Sequence, residues 1–591
     1  MTRPVSGAGV AAAAALSAAA FLATNAYASC LASAGGDPVG AASAALSQLP
    51  GHLLSRGLSP DPSAGPVAAG VAAACGVWSA WAWRQARRGN YRRGEEHGSA
   101  RWAMPAEMRR FADARDPRAN VILTRRCSLA FERPDHDPRW ERNRNVLVVG
   151  GSGSGKSRGF IAPNVMQAHG SYFVTDPKGT VAAGSRAALE AEGYEVRVFD
   201  TVDPSRSDRY NPIAYLEREA DIVRFADCLV ENTTGDRERA SDPFWPAAEK
   251  LLYTALVAYL VYHCPERDRS LPGVLTLLSL AEARDDDEAY LSPLDLLFRE
   301  IETGMRCVGP REGAARSPRD FADGGVSWVR VADPVPPEAD FALGRYRAFR
   351  AAAGKTLKSI IVSCNARLAP LAVDEMRALL SADDMSLRLM GEPGARRAVF
   401  CVMSDTNRTY SFLHAVMMWQ AVDLLCDRAL EAHGGSLPTP VSFLLDEFAN
   451  IGRMPDVEKS IAVVRSRNMS ISPVVQSMSQ LKAAYGDAAQ TIVDCCDTLL
   501  FLGGKSTETA REIAESVGKE TVTALTLNET RGASRSSTSN YQIAERDLIQ
   551  AAEVARLDRR RAVVLIAGAR PFLDDKYDPA RDGRRRRGGR G

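Results

Sequence analysis

The chain has 591 residues, and its 45% hydrophobic and 25% charged content is that of an ordinary globular protein. That length exceeds what one hydrophobic core organises, so at least two soluble domains are expected. Lys+Arg 74 against Asp+Glu 72 leave a net charge of +2, which excludes a global electrostatic preference for a partner and leaves only local clusters to read. The 11 cysteines include no C-x-x-C pair, and Cys495-Cys496 lacks a second pair or nearby histidines. A zinc site of the usual spacing is thereby excluded, and reduced, partly buried thiols are expected.

At the N-terminus, residues 9–28 form an Ala-rich apolar stretch with no charge, and a second stretch, 66–83, carries Trp78, Trp81 and Trp83 toward its far end. A helix crossing the hydrocarbon core needs about 20 apolar residues, and tryptophan suits the membrane interface. Between the two lies a Gly/Pro/Ser-rich segment with few charges, read as a short loop. Arg84, Arg87, Arg88, Arg92 and Arg93 follow at once. Positive charge is retained on the cytoplasmic side, which predicts a two-helix anchor with the large body and both termini cytoplasmic. Ala26-Tyr27-Ala28 also fits a signal-peptide cleavage site, although the apolar stretch is long for one and Arg3 is its single n-region charge. An amphitropic first segment is a third reading.

Residues 145–149 are a short apolar run ending in Gly150-Gly151-Ser152-Gly153-Ser154-Gly155-Lys156-Ser157, the pattern G-x-x-x-x-G-K-S after a predicted strand. Residues 158–167 can open a helix, with Pro163 near its start. Such glycines let backbone N–H groups turn toward phosphates at the positive end of a helix. Lys156 is then placed for the β- and γ-phosphates and Ser157 for Mg²⁺, which makes Gly150 to Ser157 an ATP-binding loop.

The partner element is 441–445, an apolar strand running into Asp446 and Glu447. Asp446 is expected to hold the Mg²⁺ shell and Glu447 to polarise the attacking water as general base. Arg465 and Arg467 lie between this strand and the next strand candidate, 471–475. That strand ends in Gln476, whose amide can sense a γ-phosphate, while one of the arginines can act as a finger into a neighbouring subunit's site. The alternative is a solvated basic helix face and a polar strand end.

Apolar runs at 146–149, 172–175, 196–199, 398–403, 441–445, 471–475, 498–502 and 562–567 alternate with helix-length segments. This is the signature of an α/β fold with a mainly parallel sheet, whose strands read as continuous apolar runs because both faces are buried. The alternation breaks between 216 and 396, where 247–262 and 355–368 have helical periodicity and 309–337 is polar and Pro/Gly-rich. That region is read as a mainly helical insertion. The expected organisation is an anchor over 1–95, an ATPase domain over 96–215 and 397–578, the insertion over 216–396, and a basic disordered tail over 579–591 that includes Arg584 to Arg587.

Taken together these pieces resemble the TraG-type coupling proteins of type IV secretion and conjugation. The residues carrying the resemblance are His97-Gly98-Ser99-Ala100-Arg101-Trp102-Ala103, the glycine-rich loop, and Asp176-Pro177-Lys178-Gly179. Further on come Tyr210-Asn211-Pro212, Asp242-Pro243-Phe244-Trp245 with Glu249, and Asp446-Glu447-Phe448-Ala449-Asn450. Gln476-Ser477-Met478-Ser479-Gln480-Leu481 and Tyr485-Gly486 close the series. The resemblance implies a RecA-like P-loop ATPase using ATP and Mg²⁺, an all-α domain inserted in it, and two transmembrane helices in the cell inner membrane. It also implies a homo-hexamer that brings a relaxase joined to single-stranded DNA to the components of a secretion channel. By position, Arg465 matches the family's arginine finger and Gln476 its γ-phosphate-sensing glutamine. Thr180 departs from the acidic residue that often follows Asp-Pro-Lys-Gly, the insertion is enlarged around 309–337, and the tail is basic where some relatives have acidic tails.

The expected function is an ATP-hydrolysing coupling motor for a nucleoprotein. Two other readings stay open: a receptor for protein effectors of a secretion system, and an FtsK-like DNA pump. The helical insertion, and the lack of a compact DNA-reading module at the C-terminus, favour the first over the pump.

Overall fold

The computed structural model describes residues 7–57, 59–86, 95–132, 137, 139–234, 243–284, 290–308, 327–352, 354–404, 406–530 and 536–582. Its centre is a nine-stranded sheet. We number these strands β1 (Val146–Val149), β2 (Ser171–Thr175), β3 (Glu195–Asp200), β4 (Arg397–Val402), β5 (Val441–Leu445), β6 (Met469–Val475), β7 (Thr498–Phe501), β8 (Arg561–Ile566) and β9 (Phe572–Asp575). Their spatial order is β9-β8-β7-β1-β6-β5-β2-β4-β3. Strands β1 to β7 are parallel, β8 runs antiparallel to β7, and β9 returns antiparallel to β8. The mainly parallel α/β sheet is thus the expected one, with β9 as an edge strand that the apolar pattern did not announce.

Both faces of the sheet are buried, and the residues divide by the two-residue period of a strand. Leu147, Val149, Phe173, Phe443, Leu445, Ile471 and Val475 join one core, and Val146, Val148, Tyr172, Val174, Leu444 and Val474 join the other. The connection from β3 to its parallel neighbour β4 spans 201–396, far more than the dozen or so residues a crossover needs. It holds the helices Glu219–Thr233, Phe244–His263, Leu271–Ser279, Pro293–Thr303, Phe341–Arg350 and Gly354–Leu368. Their apolar faces (Phe225, Leu252, Leu256, Leu343, Ile360) share one continuous core with the sheet. The insertion also contains a short antiparallel ladder, Met305–Val308 against Ser327–Arg330, so among the described residues it is mainly rather than wholly helical. Glu249, fully buried on the helix that Phe244-Trp245 open, pairs with Arg367 at 2.8 Å and accepts a hydrogen bond from Ser363. That motif's acid therefore locks two helices of the insertion together.

The chain divides into two compact units, residues 1–99 with 521–545, and residues 100–520 with 546–591. The stretch 521–545, expected inside the ATPase domain, instead groups with the N-terminal unit. It belongs to a hairpin, Lys519–Thr530 paired with Ser536–Asp547, that stands outside the main sheet. In that unit Thr521 Oγ1 accepts hydrogen bonds from the N–H groups of His97 and Gly98, both at 3.1 Å.

The helices Gly7–Ser33 and Ala64–Ala86 are both long and apolar enough to cross a membrane. They pack closely because the residues between them are small; a Cβ on Gly70 would lie 2.8 Å from the Phe21 ring. The loop expected between them is instead largely a third helix, Pro38–Arg56. Asp37 caps it by accepting from the Gly40 N–H, and Pro38 occupies the first turn, where a missing N–H costs nothing. The arginines at 87, 88, 92 and 93, residues 309–326 and the tail from 583 onward lie outside the described residues.

Candidate nucleotide site at the carboxyl edge of the sheet

Parallel strands deliver their carboxyl ends to one edge, and here that edge is polar. β1 runs into the loop Gly150 to Ser157, β2 into Asp176, β5 into Asp446 and Glu447, and β6 into Gln476. Because β6 lies between β1 and β5, Gln476 emerges between the glycine-rich loop and the two carboxylates. The loop from Ser152 onward and the four strand-end residues line one cleft of about 460 Å³, together with Lys178, Ser404 and Asn450.

The loop's course follows from its glycines. Gly153 and Gly155 sit at φ 73° and 93°, which side-chain-bearing residues rarely adopt. A Cβ on Gly150 would lie 2.4 Å from Ser154 Oγ. The N–H of Gly150 donates to the Val475 carbonyl at 3.0 Å and that of Gly151 to the Gly503 carbonyl at 2.8 Å, tying the loop to β6 and to the end of β7. After Lys156 the chain enters one wide helical turn, Ser157–Ile161, continued by Ala162–Val165 with Pro163 in its first turn.

Lys156 is 7% exposed; its Nζ donates to the Gly150 carbonyl at 3.0 Å and lies 3.3 Å from Glu447 Oε1. Ser157 Oγ donates to Asp446 Oδ2 at 2.5 Å, and burial pushes the Asp446 carboxyl above its usual range. These two hard oxygens face each other at the loop, a donor pair that fits Mg²⁺, which takes one or two protein oxygens and fills its octahedron with phosphate and water. Glu447 has a left-handed backbone, φ 52°, an uncommon and costly conformation for a residue with a Cβ. Gln476 Nε2 donates to both its oxygens at 3.0 and 3.2 Å, and Asn450 Nδ2 to one of them at 3.3 Å. Arg408 in turn donates to Asn450 Oδ1 at 2.8 Å.

Lys156, Ser157, Asp446, Glu447 and Gln476 are therefore brought together. Arg465 is not. It is exposed just before β6, at the opposite edge of the sheet, lining a small cavity with Arg144, Trp140 and Asn468. Sequence reasoning also left some participants without roles. Asp176 is buried and accepts from the N–H groups of Val181 and Ala182, capping the helix Thr180–Ala191, while Gly179 at φ 64° makes the turn. Asn450 and Arg408 had no assigned part. The signal for Asn450 was its place three residues after Glu447, across the single turn Phe448–Asn450.

In fold, the soluble body is a RecA-like P-loop protein. The bacterial conjugative coupling protein TrwB in complex with a non-hydrolysable ATP analogue superposes with a TM-score of 0.52 at 16% identity, over 81% of this chain and 93% of that one. TrwB in complex with ADP and Mg²⁺ gives 0.51 at 17% identity, over 81% and 94%. Two family profiles match the sequence, one described as "Type IV secretory system Conjugative DNA transfer" over residues 112–308, the other as "TraM recognition site of TraD and TraG" over 440–559. Among similar proteins, VirD4 of Agrobacterium fabrum is 24% identical over 82% of this chain and 66% of its own length. A probable conjugal transfer protein TraG of Sinorhizobium fredii is 24% identical over 72% and 60%. The chain thus spans a little under two thirds of the length of these relatives. Sequence and fold thus make it similar to the TraG and VirD4 coupling proteins of type IV secretion.

Proposed function

We propose that the chain is an inner-membrane coupling ATPase that recruits a relaxase bound to single-stranded DNA to a type IV secretion channel and powers its transfer. The observation that carries this reading is the convergence of Lys156, Ser157, Asp446, Glu447 and Gln476 on one cleft beneath the glycine-rich loop. The two apolar helices serve as the membrane anchor, with both termini cytoplasmic.

The backbone N–H groups of Gly153 and of Gly155 to Ser157 cradle the phosphates of ATP at a helix N-terminus. Lys156 holds the γ-phosphate oxygens, donating protons it now shares between Gly150 and Glu447. Ser157 and Asp446 would hold Mg²⁺, which would supply positive charge against the negative charge of the phosphates. Glu447 accepts a proton from the attacking water, and Gln476 fixes the carboxylate's orientation while meeting the phosphate with its amide. Arg465 acts on the nucleotide of a neighbouring subunit, which makes a homo-hexameric ring the working form. Single-stranded DNA bound through its phosphates should be released steeply by salt.

The test is Lys156→Ala and Glu447→Gln in the full chain. Each is expected to abolish transfer from donor cells while the protein still fractionates with the membrane, and Glu447→Gln is expected to keep ATP binding. Transfer at the wild-type frequency by either variant overturns the motor reading. Wild-type turnover that single-stranded DNA leaves unchanged, with an acidic peptide bound by the helical insertion, would point to a protein-effector receptor instead.

A further inference from the structure

Lys576 follows β9 and stands behind the glycine-rich loop, where the site described above gives it no part. Its Nζ donates to the Ser154 carbonyl at 2.8 Å and to the Leu502 carbonyl at 2.6 Å. A trans peptide points its C=O and N–H to opposite sides, and the described backbone has no cis bond. With the Ser154 carbonyl turned to Lys576, the Gly155 N–H of the same peptide is turned the other way, away from the lysine. Gly155, at φ 93°, lines the cleft. The second contact works alike: the Leu502 carbonyl fixes the peptide leading to Gly503, whose own carbonyl holds the Gly151 N–H at 2.8 Å. One ammonium thus ties the middle of the loop and the support of its start. A charge-assisted bond to a carbonyl also polarises the amide and makes its N–H a stronger donor.

We infer that Lys576 is a positioning residue for nucleotide binding, setting the Ser154–Gly155 peptide so that the Gly155 N–H meets a phosphate of the bound nucleotide. The inference rests on the ATP-binding reading above and deepens it. The neighbouring chain keeps the lysine in place: Asp578 pairs with Arg158 at 3.3 Å, and the Tyr577 carbonyl lies 3.5 Å from where a Cβ on Gly159 would be. Burial lowers the Lys576 ammonium to about 8, with Asp558 as the charge opposing that shift. Asp575 and Asp578, its neighbours in sequence, are engaged by Arg125 and Arg158.

The experiment measures binding of a fluorescent ADP, with Mg²⁺, to the full chain in detergent and to its Lys576→Met and Lys576→Arg variants, from pH 7 to 9.5. Lys576→Met is expected to weaken binding by about 10- to 100-fold at pH 7, the loss of one charge-assisted hydrogen bond, while Lys576→Arg stays within about threefold. Wild-type affinity should fall as the pH rises through about 8, where the lysine loses its proton, and Lys576→Arg should stay level. Should Lys576→Met fail to fold, the comparison of wild type with Lys576→Arg still decides. Wild-type affinity in Lys576→Met, or the same pH profile in wild type and Lys576→Arg, overturns the inference. A wild-type chain that binds no adenine nucleotide overturns instead the reading on which it rests.

Discussion

The two ends of β6 carry opposite kinds of chemistry. At the carboxyl end, Gln476 is bonded to Glu447, which is bonded to Asn450 and paired with Lys156, so these four side chains are partnered within the same chain. At the amino end, Arg465 is exposed, and among the described residues no carboxylate pairs with it. Seven strand residues separate the two, roughly 20 Å, so no side-chain rotation can bring Arg465 to its own chain's cleft. The first end is built to act where it stands. The second can act on a nucleotide only if another copy supplies it, and that contrast is the physical basis for the oligomer proposed above.

Arg465→Ala presses hardest on this contrast. Phosphate release should fall by about 10³- to 10⁵-fold, the usual worth of an arginine finger, with ADP affinity unchanged because the chain's own cleft is intact. Mixing this variant with Lys156→Ala should restore activity to about a quarter of wild type, since a ring then contains sites with one subunit's intact loop and its neighbour's intact arginine. A mixture as inactive as its parents would break the comparison.

Gln476→Ala tests the other end and should act within one subunit. The carboxylate of Glu447 loses the amide that bonds both its oxygens, and turnover is expected to fall by about 10- to 100-fold through misorientation, with nucleotide binding kept. Mixing with Lys156→Ala should restore nothing, because the loss stays with the loop it serves. Unchanged turnover would leave Gln476 as a polar strand end and no more.

Most of this architecture was legible because its physics is local. Strands buried on both faces must be apolar throughout, and most of β1 to β8 show that pattern, whereas the edge strand β3 alternates with Glu195 and Arg197 and β9 ends in Asp574 and Asp575. Asp574 is fully buried only because Thr124 and Arg126, some 450 residues earlier in the sequence, satisfy it. The helix Pro38–Arg56 stands where the sequence predicts a loop, because its Gly, Ser and Pro content masks the start signal of Asp37 and Pro38. In the site, the loop and the strand-end residues Asp446, Glu447 and Gln476 follow from chain-local pattern. Lys576 does not, since it reaches Ser154 across 422 residues and nothing around it in sequence marks it.

Arg467→Ala is the mildest of these changes and the sharpest control on the first. Arg467 lies two residues from Arg465 with the same chemistry, yet it is partly buried and its Nη1 donates to the Gly435 carbonyl at 3.1 Å, holding the turn before β5. Its Nε is buried and makes no hydrogen bond among the described residues, so part of what the alanine loses was already uncompensated. The net cost should be about 1 kcal/mol of stability, read as a small drop in denaturation midpoint, with phosphate release within about twofold of wild type. Turnover lost to the same degree as in Arg465→Ala would mean that the whole basic turn, rather than one exposed guanidinium, meets the neighbouring nucleotide.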